Sequence, residues 1–210
     1  MNKQWRLKKR PVAGPSEDCF ELVEADIPEL EPGKALIRTW YLGVAPVMLR
    51  YMQNETDFES ALALGDLMIG RGVGQVVASD CSTLPVGALV QARIGWQEYA
   101  LIDDQQIPAP FILRHDDLPA SHGLSSLGPS GFTALIGLRE IGQLKPNDAI
   151  LVSGAAGGVG SQVAQVAKAL GAKRVVGIAG GPTKCAELIN SMGYDAAIDY
   201  QSDDVPASID

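Results

Sequence analysis

Two histidines and three cysteines are all the imidazole and thiol that this 210-residue chain offers a metal. Cys19, Cys81 and Cys185 are far apart and odd in number, which argues against a disulfide framework and against a closely spaced four-cysteine zinc lobe. They read as reduced thiols filling space, as in a cytoplasmic protein. His115 and His122 have no cysteine partners nearby and read as ordinary polar loop histidines, so no metal site is expected. Basic runs are scarce as well: none exceeds Lys8-Lys9-Arg10, and the net charge is −8. That balance suits neither nucleic acid nor an anionic membrane surface. No apolar run is long enough to span a bilayer, and Met1-Asn-Lys-Gln-Trp5 has no signal-peptide apolar region. What remains is the composition of a chain with a real core, 46% apolar and 20% charged.

One stretch organises the rest: Ala149-Ile-Leu-Val-Ser-Gly154-Ala155-Ala156-Gly157-Gly158-Val159-Gly160-Ser161. Four apolar residues read as a buried parallel strand, a glycine-rich turn follows, and an amphipathic helix begins. Strand, tight turn and helix in that order are the context that a dinucleotide-binding turn requires. The spacing G-x-G-x-x-G is met as Ala155-x-Gly157-x-x-Gly160, with Ala at the first position. Gly157 lets backbone approach a pyrophosphate, Gly160 lets helix pack on strand, and the helix N-terminus offers free N–H groups to phosphates. The bland alternative is a tight connection and nothing more.

Before this stretch the chain is short-stranded and turn-rich. Phe20–Glu24, Ala35–Leu42, Gly74–Ala78, Ala88–Ile94 and Glu98–Ile102 read as strands of a small irregular barrel. Asn54 to Gly65 reads as a loop or short helix over its rim. From Ser121 the character changes. Gly131–Ile141 is helical with Gly142 as its stop, and Lys145–Asp148 is a turn into the central strand. The helix after the glycines places Val159, Val163, Val166, Ala167 and Leu170 on one face, and Gly171 caps it. A second strand, Arg174–Ala179, a helix from Pro182 to Met192 and a strand at Ala196–Tyr200 complete β-α-β-α-β. That is one mononucleotide-binding half of a doubly wound sheet, with an unfinished edge, and a truncated chain is the expectation.

Nucleotide preference follows from charge. In NAD-binding sheets an Asp or Glu some twenty residues past the glycines takes the ribose 2′-OH. Here the end of the second strand holds Ala179-Gly180-Gly181, and the nearest carboxylate in sequence is Glu187, already inside the next helix. Lys184 sits just past the strand end. An absent acid and a nearby cation suit a 2′-phosphate, favouring NADPH over NADH. Taken alone, Lys184 is equally well a solvated lysine at a helix start.

The order of these features resembles the medium-chain dehydrogenase/reductase superfamily. The similarity is closest to the zinc-independent branch of leukotriene B4 12-hydroxydehydrogenase, prostaglandin reductase and alkenal reductases. It rests on Asn2-Lys-Gln-Trp5 with Arg10-Pro11, on Gly95-Trp-Gln-Glu-Tyr-Ala100, and on Leu127-Gly128, Gly131, Thr133-Ala134, Ile141-Gly142 and Val152–Gly157. The resemblance implies an N-terminal GroES-like β-barrel on the substrate side over residues 1–125. It implies the first half of a Rossmann NADP-binding domain over 126–210, an α/β fold overall. It further implies a homodimer. Gly158, Val159, Gly160 and Ser161 become the pyrophosphate-side turn, with Gly180 at the strand end. Lys184 becomes the holder of the 2′-phosphate, and Tyr200 matches a family tyrosine beside that phosphate, although by itself it is a strand-end aromatic that packs. Zinc-dependent relatives carry Gly-His-Glu where this chain reads Gly70-Arg71-Gly72. The family's Asp-Pro-Tyr-Met is Ala45-Pro46-Val47-Met48 here, so its substrate-facing tyrosine is missing, with Tyr51 the substitute candidate for a catalytic hydroxyl.

The activity implied is hydride transfer from NADPH to the β-carbon of an α,β-unsaturated aldehyde or ketone, a small-molecule enone. The alternatives are reduction of a quinone by NADPH and, from another class, a non-catalytic NADPH-binding fragment.

Overall fold

Alternation in the first half of the chain dictates its strands. The computed structural model describes residues 1–53, 61–114 and 117–208. His115 and the greater part of the Asn54–Gly65 segment therefore lie outside the described residues. The chain divides into two units, Met1–Leu124 and Ser125–Asp210.

In the first unit, β1 (Asn2–Leu7) pairs antiparallel with β2 (Phe20–Ala25), from Asn2 opposite Ala25 to Leu7 opposite Phe20. Five further strands form an antiparallel sheet: β3 (Ala35–Leu42), β4 (Arg71–Ser79), β5 (Leu89–Arg93), β6 (Tyr99–Ile102) and β7 (Phe111–Ile112), in the order β6-β3-β4-β5-β7. Period-two burial holds in β3, where Ala35 and Ile37 are fully enclosed with Val76, Val90 and Ile102. Register shifts between Leu36 and Ile37, and again between Thr39 and Tyr41, bend the strand. Helix α1 (Val47–Met52), unexpected from sequence, buries Met48, Tyr51 and Met52.

The start of the chain is held by a polar residue. Asn2 is fully buried and uses all of its amide capacity in four hydrogen bonds, donating to Gln97 Oε1 and the Tyr99 carbonyl and accepting from the Glu98 and Tyr99 amides. Arg10 donates to the carbonyls of Met52 and Leu62.

In the second unit, β8 (Ala149–Val152), β9 (Arg174–Ala179) and β10 (Ala196–Asp199) are parallel in the order β10-β9-β8. Helices α2 (Pro129–Ile136), α3 (Gly160–Ala169) and α4 (Pro182–Asn190) accompany them, and a π-type turn, Gly137–Ile141, extends α2 to the expected stop at Gly142. Ala155, Ala164, Ala167, Val175, Leu188 and Tyr194 form the core. Two expectations of burial fail. β8 lies at an edge of the described sheet: Ile150 and Val152 pack on the core, while Leu151 on the opposite face is 44% exposed. Val159 precedes the first turn of α3 and is 39% exposed rather than on the buried stripe. Among the described residues no helix is long and apolar enough to cross a membrane.

Candidate cofactor site and apolar groove

The glycine-rich turn leaves β8 through Gly154, whose φ of +62° is a conformation that L side chains avoid. This corrects the sequence reading, which gave the first fingerprint position to Ala155. Ala155 is fully buried, and its amide donates to the Ile178 carbonyl at 3.0 Å, so Ala155 fastens the turn to β9. Gly157 donates back to the Gly154 carbonyl at 3.0 Å, and Ser161 to Gly157 at 2.8 Å. Gly160 allows the close approach expected of it: a Cβ there would lie 2.5 Å from the Ala155 carbonyl oxygen. Among the described residues, no carbonyl takes the amides of Gly158, Val159 or Gly160. Three donors at the positive end of a helix form a cradle for an anion. The Ser161 hydroxyl is turned inward, donating to the Gly158 carbonyl at 3.0 Å.

Tyr194, which sequence reasoning missed, supports this turn from below. It is 3% exposed, and its hydroxyl donates to the Gly160 carbonyl at 2.7 Å. Burial pushes its pKa up to about 12, so the donor stays protonated at any physiological pH. Its one sequence signal was a lone aromatic directly after the helix-stopping Gly193.

At the carboxyl end of β9 the structure brings Gly180 and Tyr200 together: a Cβ on Gly180 would lie 2.6 Å from the Tyr200 hydroxyl oxygen. Lys184 stands in the first turn of α4, exposed, with no ion pair among the described residues. An acid is nearer in space than the sequence suggested. Asp199, at the end of β10, accepts the Gly181 amide at 2.8 Å and the Gln201 amide at 3.0 Å. These bonds, that from Gly181 foremost, hold its carboxyl below the ordinary range. The acid comes from the neighbouring parallel strand β10 rather than from Glu187 further along the chain.

The first unit carries an apolar groove of about 870 Å³, lined by Trp5, Phe20, Pro46, Met48, Met52 and Trp96 among others. Phe20 and Trp96 stack with ring centroids 5.6 Å apart. Val47, where the family has its tyrosine, is 40% exposed. Tyr51 is buried and is not among the residues that line this groove. His122 lies in a 3₁₀ turn, Ala120–Leu124. Arg71 donates to Gln91 Oε1 at 3.4 Å, and burial, with Arg93 beside it, lowers its pKa. Among the described residues no three His, Cys, Asp or Glu side chains come together as a metal site.

Comparison with known proteins fits this geometry. Residues 3–109 match the family model described as the N-terminal domain of oxidoreductase. The chain is 36% identical over 203 residues to NADPH-dependent curcumin reductase of Escherichia coli, covering 97% of this chain and 58% of the relative. It is 38% identical over 200 residues to prostaglandin reductase 1 of Bos taurus, covering 95% and 58%. The chain thus spans less than two thirds of the length of these relatives. Among solved structures, CurA of Vibrio vulnificus in complex with NADPH superposes with a TM-score of 0.83 at 36% identity, over 99% of this chain and 60% of that one. A Pseudomonas syringae quinone oxidoreductase gives 0.75 at 27% identity, over 100% and 62%. With a barrel-type sheet, a half-Rossmann unit built on the Gly154–Gly160 turn and these relatives along nearly its whole length, the chain belongs to the zinc-independent, NADP-dependent medium-chain dehydrogenase/reductase family.

Proposed function

We propose that this chain contributes the NADP(H)-binding half-sheet and the substrate-side unit of an oxidoreductase that reduces the C=C bond of α,β-unsaturated aldehydes and ketones. The observation that carries the cofactor reading is the corner at the end of β9. Lys184 has no ion pair among the described residues, Tyr200 presents a hydroxyl at Gly180, and the Asp199 carboxylate accepts the Gly181 and Gln201 amides through one oxygen. A cation and a hydroxyl side by side suit a 2′-phosphate.

The bound cofactor would supply a hydride. The residues of this chain bind and orient. The free amides of Gly158, Val159 and Gly160 take the pyrophosphate, Tyr194 holds that turn in place, and Lys184 with Tyr200 takes the 2′-phosphate. The groove lined by Trp5, Phe20, Met48, Met52 and Trp96 offers an apolar, water-poor surface to an unsaturated chain or ring. Tyr51 is assigned no step. Fluorescence titration with NADPH and NADH tests the reading. NADPH is expected to bind at least about tenfold more tightly, and Lys184→Ala to erase the difference. Equal affinity for the two cofactors in the unmutated chain would refute it.

Quinone reduction is the second reading. It is favoured by the likeness to the Pseudomonas syringae quinone oxidoreductase and by Val47 in place of the family's substrate-facing tyrosine. Rates on a conjugated enone and on a benzoquinone, measured side by side, separate the two.

A further inference from the structure

Gly180 and Gly181 are the whole connection between β9 and α4, and they are gripped by Asp199, the last residue of β10, and by Tyr200 directly after it. Tyr200 donates its amide to the Ala179 carbonyl at 3.1 Å and lays its phenol against Gly180. Asp199 takes the Gly181 amide at 2.8 Å, and Asp199 is itself tied, its own amide donating to Asp203 Oδ2 at 2.8 Å. Gly181 has a φ of +90°, open to glycine and strained for any residue with a side chain. Gly181 is also the residue immediately before α4, so its peptide sets the direction of the first turn, on which Lys184 stands.

We infer that Asp199 is a positioning residue for recognition of the 2′-phosphate: by fixing the Gly181 peptide it aims the first turn of α4, so that Lys184 and the Tyr200 hydroxyl meet the same phosphate. Its task is the reverse of that of the strand-end acid in NAD-binding sheets, which binds the ribose directly. Here the carboxylate binds backbone, and its effect on the cofactor passes through Lys184 and Tyr200. The inference rests on the NADP(H) reading above.

The test is calorimetric titration of the whole 210-residue chain with NADPH, NADH and adenosine 2′,5′-bisphosphate. Asp199→Ala, which leaves the Gly181 amide without its acceptor, weakens NADPH and the bisphosphate by about tenfold and NADH by less than about twofold. Asp199→Asn retains an acceptor oxygen and stays within about threefold of the unmutated chain for all three ligands. Gly181→Ala disturbs the same peptide with the carboxylate intact and reproduces the selective loss, which keeps the question open to measurement even if Asp199→Ala fails to fold. An equal loss of NADH and NADPH in Asp199→Ala or Gly181→Ala overturns the inference, because a general structural role does not discriminate between cofactors. Asp199→Asn falling with Asp199→Ala overturns it too, since charge and not acceptance would then be the operative property. An unmutated chain that binds neither NADPH nor the bisphosphate overturns the NADP(H) reading itself, and this inference with it.

Discussion

Replacing Tyr194 with Phe removes one oxygen atom and leaves the ring that packs under Gly177. The lost hydroxyl is buried and donates to the Gly160 carbonyl at 2.7 Å, so its removal costs about 1 kcal/mol at neutral pH. The pH dependence makes the prediction specific. Folding raises the tyrosine pKa from 10.0 to about 12. Below pH 10 both folded and unfolded forms keep the proton, and the contribution of the hydroxyl is fully present. Between pH 10 and 12 the unfolded chain releases a proton that the folded chain retains, so stability falls by about 1.4 kcal/mol per pH unit. Phenylalanine has nothing to release. Tyr194→Phe is therefore the less stable protein at pH 8, crosses the unmutated chain between about pH 10 and 11, and is the more stable beyond. Urea titrations followed by far-UV circular dichroism read this chiefly in the second unit, where α2, α3 and α4 lie. The fluorescence of Trp5, Trp40 and Trp96, all in the first unit, serves as an internal reference. A stability difference that stays constant from pH 8 to pH 11 would refute the reasoning, because the hydroxyl would then not be buried against a carbonyl.

Gly160→Ala tests the phosphate turn. In an isolated helix this change favours folding, but here the new methyl meets the Gly154 and Ala155 carbonyls. Stability is expected to fall by about 2 kcal/mol and NADPH affinity by more than about tenfold, both measurable on one sample. Asp195→Ala removes the Lys168 partner at 2.6 Å and the acceptor for the Val175 amide at 2.8 Å, with an expected loss of about 1 kcal/mol in urea titration. The Asp195 carboxyl titrates below its ordinary value, Lys168 being the main cause. Its contribution is thus present above the unfolded pKa and disappears as pH falls through the lower, folded one, so the gap between unmutated chain and variant must close in acid. Met48→Trp fills the apolar groove and should raise KM for a bulky aryl enone several-fold while leaving a three-carbon enal little changed. Equal effects on the two substrates would remove the groove from the substrate path.

The strands and helices were legible where periodicity was strong. β3 and β9 fall where alternating and continuous apolar runs put them, and Gly142 marks the end it was expected to mark, whereas α4 stops at Asn190, two residues short of the Met192 expected before Gly193. β1 escaped notice because Asn2-Lys-Gln-Trp5 has no apolar alternation; one of its two fully buried residues is an asparagine satisfied wholly by hydrogen bonds to a segment more than ninety residues away. Helix α1 is too short to show a period. In the cofactor turn the glycine count was readable but the conformation was not: Gly154 carries the positive φ, and Ala155 is core. Asp199 and Tyr194 act across strands and from below the turn. Those are relations of the folded sheet, which sequence distance does not display. Tyr51 was nominated for its hydroxyl and its proximity to Val47 in sequence, and the helix places it off the groove.

The bonds of Asn2 also impose an order on events during synthesis. Asn2 cannot reach its partners until Gln97, Glu98 and Tyr99 have emerged, so its amide waits unpartnered while the intervening residues, more than ninety of them, are made. The β1–β2 hairpin can form meanwhile from near neighbours, but it docks on the sheet late, across one of the longest loop closures in the unit. Damage to Asn2 should therefore slow folding little and hasten unfolding more, the signature of a contact made after the rate-limiting step.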